Sequence, residues 1–144
     1  MTHRLRRLST VLGSTVLLGA ALAFGAAPAQ AGGWTEISRA HYGIVYACKT
    51  PVASGYGRLW QVTTFMSNYY SDHGHTGGVT VRRNNPYTGQ LIHQWNVTLG
   101  PGQTSGYGTV YLSRVLPDYL VAGSGELDGS GSGGDVGIGY IAYC

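Results

Sequence analysis

The chain has 144 residues, 43% hydrophobic and only 10% charged, with nine basic and six acidic side chains and a formal net charge of +3. Three of the basic residues (Arg4, Arg6, Arg7) stand at the extreme N-terminus. From residue 32 onward six bases (Arg39, Lys49, Arg58, Arg82, Arg83, Arg114) oppose six acids (Glu36, Asp72, Asp118, Glu126, Asp128, Asp135). That part is neutral, and only Arg82 and Arg83 are adjacent, so it lacks the clustered cations that phosphate neutralisation needs and nucleic acid is not expected as a partner.

Residues 1–31 read as a secretory signal peptide. Arg4, Arg6 and Arg7 form its positive region, an apolar run extends from about Val11 to Phe24, and the small-residue pattern Ala29-Gln30-Ala31 closes it. Leu8, Ser9 and Thr10 follow the arginine pair, so the bulky apolar residue that a twin-arginine signal has two places after the pair is missing, which favours the general secretory route. No later stretch approaches the ~20 apolar residues of a membrane span, so a soluble secreted product is expected. Residues 32–144 suffice for one domain with its own core. In an oxidising compartment Cys48 and Cys144 are expected to pair as a disulfide. The alternative, a reactive thiol, needs a low-pKa setting that their neighbours do not supply.

In chain order, Trp34 to Ala40 is the one place for a short helix, because Trp34 and Ile37 would share a face. Strands are expected at Tyr42–Lys49, Leu59–Ser67, Gly78–Asn84, Leu91–Leu99, Gly108–Val115, Tyr119–Gly123 and Val136–Cys144. In the second of these, Trp60, Val62, Thr64 and Met66 alternate with Leu59, Gln61, Thr63 and Phe65. In the fourth, Leu91, His93, Trp95, Val97 and Leu99 alternate with Ile92, Gln94, Asn96 and Thr98. Asn85-Pro86-Tyr87-Thr88-Gly89 reads as a hairpin turn, Leu99 to Thr104 as another, and Gly123 to Gly134 as a mobile connection. About seven strands and one bridging disulfide predict an all-β fold: a single antiparallel β-sandwich, immunoglobulin-like or similar.

Three patterns invite a chemical reading. Asp72-His73-Gly74-His75 places two imidazoles at i and i+2, but a metal would need a further ligand from His41 or His93, and no metal site is expected. Asp128 to Gly133 resembles the opening of a calcium loop, yet position 12 is Gly139 where a bidentate Glu is required. No Gly-x-Ser-x-Gly elbow occurs, and Glu126 and Asp128 fall in the Gly-rich connection, so neither an enzyme nor a cofactor is expected.

Aromatic usage is the positive signal. Residues 32–144 hold eleven Tyr and three Trp but one Phe, Phe65, a bias towards rings with a polar tip at the surface. Tyr69, Tyr70, Tyr87 and Tyr107 fall in loops or hairpin tips and are the candidate ligand-binding residues. Signal, glycine- and tyrosine-rich domain and terminal disulfide together resemble small secreted actinobacterial proteins, a group defined by style and without an assigned role. Cellulose-type carbohydrate-binding modules share the disulfide-closed sandwich, but their surface tryptophans have no secure counterparts here, since Trp60 and Trp95 stand at apolar-alternating positions that look buried. Tendamistat-type α-amylase inhibitors share the Pro101-Gly102-Gln103 turn, but their Trp-Arg-Tyr triplet and second disulfide are missing here. The expected function is a secreted non-enzymatic binding module for an extracellular polysaccharide or a protein surface. The alternatives are an inhibitor of an extracellular hydrolase, presenting the Asn84–Gly89 hairpin, and a bacteriocin-like toxin.

Overall fold

Thr, Val, Ile and aromatic residues dominate the alternating segments, and these are the side chains that pack well on a pleated surface. A computed structural model describes residues 33–54, 57–127 and 129–144; the stretch 1–31 that reads as a signal peptide, and Asp128, lie outside the described residues. Eight strands form: β1 (Thr35–Ala40), β2 (Gly43–Ser54), β3 (Gly57–Ser67), β4 (His75–Arg83), β5 (Gln90–Leu99), β6 (Gly108–Ser113), β7 (Asp118–Glu126) and β8 (Gly131–Val136). They pair antiparallel as a front sheet, β1-β2-β3-β6, and a back sheet, β5-β4-β7-β8. If β2 to β8 are lettered A, B, C, C′, E, F and G, the pairings A–B, B–E, C–F and F–G are those of immunoglobulin-type sandwiches, with β1 added outside A.

The core lies between the sheets. Val45 and Ala47 on β2, Val62 and Met66 on β3, and Val110 and Leu112 on β6 meet Val79 and Val81 on β4 and Leu120 and Ala122 on β7, every one of them at most 2% exposed. Each aliphatic side chain of Val or Leu size buried this way contributes about 1.5–3 kcal/mol relative to exposure. The two faces expected of β3 are the two observed. On the open β5–β6 flank, Trp95 lies against Gly108, where a Cβ would fall 2.2 Å from the indole. On the other flank Ser38 Oγ shares a hydrogen bond with Ser124 Oγ (3.1 Å) and donates to the Ser132 carbonyl. No helix among the described residues is long and apolar enough to cross a membrane.

Cys48 and Cys144 form the expected disulfide, closing a separation of 96 residues. It seals a terminal segment that runs beside β2: Lys49 N–H donates to the Ala142 carbonyl (2.9 Å) and Cys144 N–H to the Lys49 carbonyl (3.0 Å). The Lys49 side chain is buried there. Its Nζ donates to the Ile138 carbonyl (2.7 Å) and lies 5.1 and 5.0 Å from the Trp60 and Tyr143 ring centres.

Several elements differ from the sequence reading. Trp34–Ala40 is no helix: residues 35–40 are strand β1, paired to β2 with a bulge at Ile37, so the Trp34–Ile37 spacing reflects no helical face. β2 continues through Pro51, which pairs with Trp60. Val136–Cys144 is not a strand. Val136 ends β8, and beyond Gly137 the chain makes a 3-10 turn at Ile138–Tyr140 and a single bridge, Lys49 to Tyr143. The Gly123–Gly134 connection is itself sheet, with Gly123 opposite Gly133 and Gly125 opposite Gly131 in the β7–β8 hairpin. In β5 the alternation breaks: Val81 pairs with His93 but Arg82 pairs with Leu91, so Ile92 is an extra residue that turns towards the core while Leu91 turns out.

Candidate functional site

The Asn84–Gly89 turn is fixed from within and from below. Asn85 Oδ1 accepts hydrogen bonds from Tyr87 N–H (2.8 Å) and Thr88 N–H (2.9 Å), and Gly89 N–H donates to the Asn85 carbonyl (3.0 Å). Gly89 is required, since a Cβ there would sit 2.1 Å from the Arg83 carbonyl oxygen. At the base Arg82 Nη1 donates to the Gly89 carbonyl (2.9 Å), and the Arg83 guanidinium is bidentate on Asp118. The Asp118 carboxylate holds the Arg83 guanidinium above its usual value through those hydrogen bonds. Tyr87, 69% exposed, therefore sits on a rigid support.

From there a groove of about 650 Å³ crosses the outer face of the back sheet, with Tyr87 among its lining residues. Its floor follows from strand parity. A Cβ on Gly77 would point into the core at Met66 Sδ (2.8 Å), so Thr76, Gly78 and Thr80 point outward. The cross-strand row Asn96–Gly78–Gly123–Gly133 thus carries one side chain over four strands, and the next row is Thr98–Thr76–Gly125–Gly131. Three strand spacings make the strip roughly 14 Å wide. No charged side chain lines it; among the described residues Asn96, Thr76 and Thr80 supply its polar walls, and Asp135 on β8 and Arg82 on β4 flank it on the same face with opposite signs.

The four candidate tyrosines occupy three different places. Tyr69 and Tyr70 (63% and 78% exposed) form an edge-to-face pair on the β3–β4 connection, at the opposite end of β4 from Tyr87. Their loop is anchored by fully buried Asn68, whose Nδ2 donates to the His73 (2.8 Å) and Gly100 (2.9 Å) carbonyls. Tyr107 (53% exposed) lies on the outer front face, its ring parallel to Trp34 within 5° at 5.6 Å.

The histidine motif is also divided. His73 faces solvent beside Asp72 (3.3 Å), whereas His75 is fully buried with its Nε2 3.7 Å from Glu126 Oε1, the oxygen that His41 Nδ1 contacts from the β1–β2 turn. His93 stands far off, against Tyr111. Among the described residues no three or more His, Cys, Asp or Glu are placed to hold a metal ion. The calcium-loop pattern falls on a hairpin whose Gly131–Gly133 portion is strand β8.

The residues that sequence reasoning passed over are Asn96 and the groove glycines. Their signal was the doubled Gly-x-Gly of Gly123/Gly125 and Gly131/Gly133, which reads as a linker until the two are paired in register. Comparison with protein-family models, with curated proteins and with solved structures finds no match to this chain.

Proposed function

We propose that this domain acts outside the cell as a non-enzymatic binding module for a neutral polysaccharide chain laid across the back sheet. The uncharged groove carries the reading. Its glycine floor lets an extended polymer approach the backbone closely, Thr76, Thr80 and Asn96 offer hydrogen bonds to hydroxyls, and the preorganised Tyr87 ring offers a face for a sugar. The export signal read at residues 1–31 and the disulfide support an extracellular setting.

The test is co-sedimentation of the exported protein with insoluble cellulose, chitin and bacterial cell walls, for wild type, Gly123→Val and Tyr87→Ala. Depletion by one polymer, lost in both variants while their melting curves hold, is the expected result. A protein left in solution by all three polymers would remove the polysaccharide reading. The rigid hairpin also favours one other use, as the inserted loop of a hydrolase inhibitor, and stoichiometric loss of a secreted hydrolase's activity on titration would move the assignment there.

A further inference from the structure

The outer face of the front sheet carries the densest aromatic cluster of the described residues. Tyr46 and Phe65 are cross-strand neighbours with rings stacked at 5.0 Å. Trp34 meets Phe65 at 4.8 Å and 89°, and Tyr107 meets it at 5.8 Å and 90°. Phe65 therefore stands perpendicular to two rings that are parallel to each other, and edge-to-face packing of this kind fixes both without any need for a bound partner. Tyr107 is more than half exposed, and the next cross-strand pair on this face is Thr63 with Thr109, two hydroxyl-bearing side chains.

Charge restricts what such a face accepts. The charged side chains of adjoining β1, Glu36 and Arg39, neutralise each other through hydrogen bonds of 2.8 and 2.5 Å. At the β1 edge of this face the two opposite charges therefore compensate each other. A pyranose chain, with apolar C–H faces and an equatorial rim of hydroxyls, matches parallel rings bordered by threonines.

We propose that Trp34 and Tyr107, supported by Phe65, form a second binding surface for neutral polysaccharide. Resting on the back-sheet reading, this makes the domain bivalent, with one chain held on each side of the sandwich so that two polymer chains are bridged. Two sites on opposite faces cannot serve one short oligosaccharide together, so bridging and simple binding are separable readouts.

The experiment uses affinity electrophoresis of the exported protein in gels containing soluble hydroxyethylcellulose or glycol chitin, and clumping of beads coated with the same polymers. Tyr107→Ala and the milder Trp34→Phe are compared with Gly123→Val, with circular dichroism melts showing that each is folded. Tyr107→Ala is expected to weaken retardation roughly tenfold, the loss of one stacked ring. Either Tyr107→Ala or Gly123→Val alone should abolish clumping. If Tyr107→Ala leaves both retardation and clumping unchanged, the second surface is refuted, whatever Gly123→Val does. If Gly123→Val changes nothing while Tyr107→Ala abolishes retardation, the front surface stands as a site and the bridging falls together with the back-sheet reading. Retardation by neither polymer overturns both. Self-association in the ultracentrifuge that Tyr107→Ala removes would make this face a contact between copies and overturn the proposal.

Discussion

On the front sheet, Tyr46, Phe65 and Tyr107 crowd one outer strip beside Trp34; on the back sheet the corresponding strip is Asn96, Gly78, Gly123 and Gly133. One face is built from large side chains and the other from their omission, on antiparallel strands in both sheets. The difference sets how each can be damaged. The front face is lost by removing atoms or their supports, and the back face is lost by adding a single carbon.

The supports of the front face give the largest expected effect. Gly33 leads into Trp34, and a Cβ there would fall 2.2 Å from the Tyr143 carbonyl oxygen, while Ala142 N–H donates to Thr35 Oγ1 (2.9 Å). The stapled terminal segment thus backs the entry to the aromatic cluster. Replacing Cys48 and Cys144 by Ala should lower stability in urea unfolding by about 3–5 kcal/mol, as expected for a loop of this length. Under conditions where that variant stays folded, amide exchange should rise at Trp34 and Thr35 and not at Gly123. Equal loosening of both faces would break the contrast.

Next comes the asymmetry among the back-sheet glycines. A Cβ on Gly78 would meet the Trp95 carbonyl oxygen at 2.2 Å and Asn96 Oδ1 at 2.3 Å, whereas on Gly123 the nearest atom is 3.6 Å away. Gly78→Val should cost about 1–3 kcal/mol or more. Gly123→Val should melt at or above the wild-type temperature, because a β-branched residue suits a strand better than glycine. Thermal melts of the pair decide it, and equal losses would mean that the bare strip serves packing rather than access.

Smaller effects come from the rim and the edge. Asn85→Ala removes the acceptor for two turn amides and should cost about 1 kcal/mol, in the range of a lost cap, with faster exchange at Tyr87 and Thr88 as the readout. The smallest is a pH effect. Hydrogen bonds from Arg39 hold the Glu36 carboxyl below its ordinary value of 4.5. A depressed carboxyl stabilises the fold fully above that ordinary value and loses its contribution as pH falls through the folded value. The melting difference between wild type and Glu36→Gln should therefore shrink on going from neutral pH to below 4, and a difference that grew would reverse the assignment.

The fold was legible wherever apolar side chains alternate. β3 declared both its faces, and the Asn85–Gly89 turn and the disulfide followed from turn chemistry and cysteine count. β8 was not legible, because Gly-Ser-Gly-Gly carries no strand propensity and becomes a strand only through pairing with β7. The bulge at Ile92 escaped for a different reason: both Leu91 and Ile92 are apolar, so the sequence cannot say which one turns inward. The site was legible in part. Tyr87 and Tyr107 were marked by exposure-prone positions, but that they face opposite sides of the molecule depends on which sheet each strand joins. The groove left almost no trace, since a cleft made of missing side chains is indistinguishable, residue by residue, from a flexible linker.

Lys49 is the chain's only lysine, and its amine is enclosed by Trp60, Tyr143 and the Ile138 carbonyl. The folded domain is therefore silent towards side-chain amine acylation. A reagent added in excess would tag this position only when the terminal segment lifts away from β2, so the rate at which the tag accumulates in the mass spectrum is a built-in clock for opening of the sandwich.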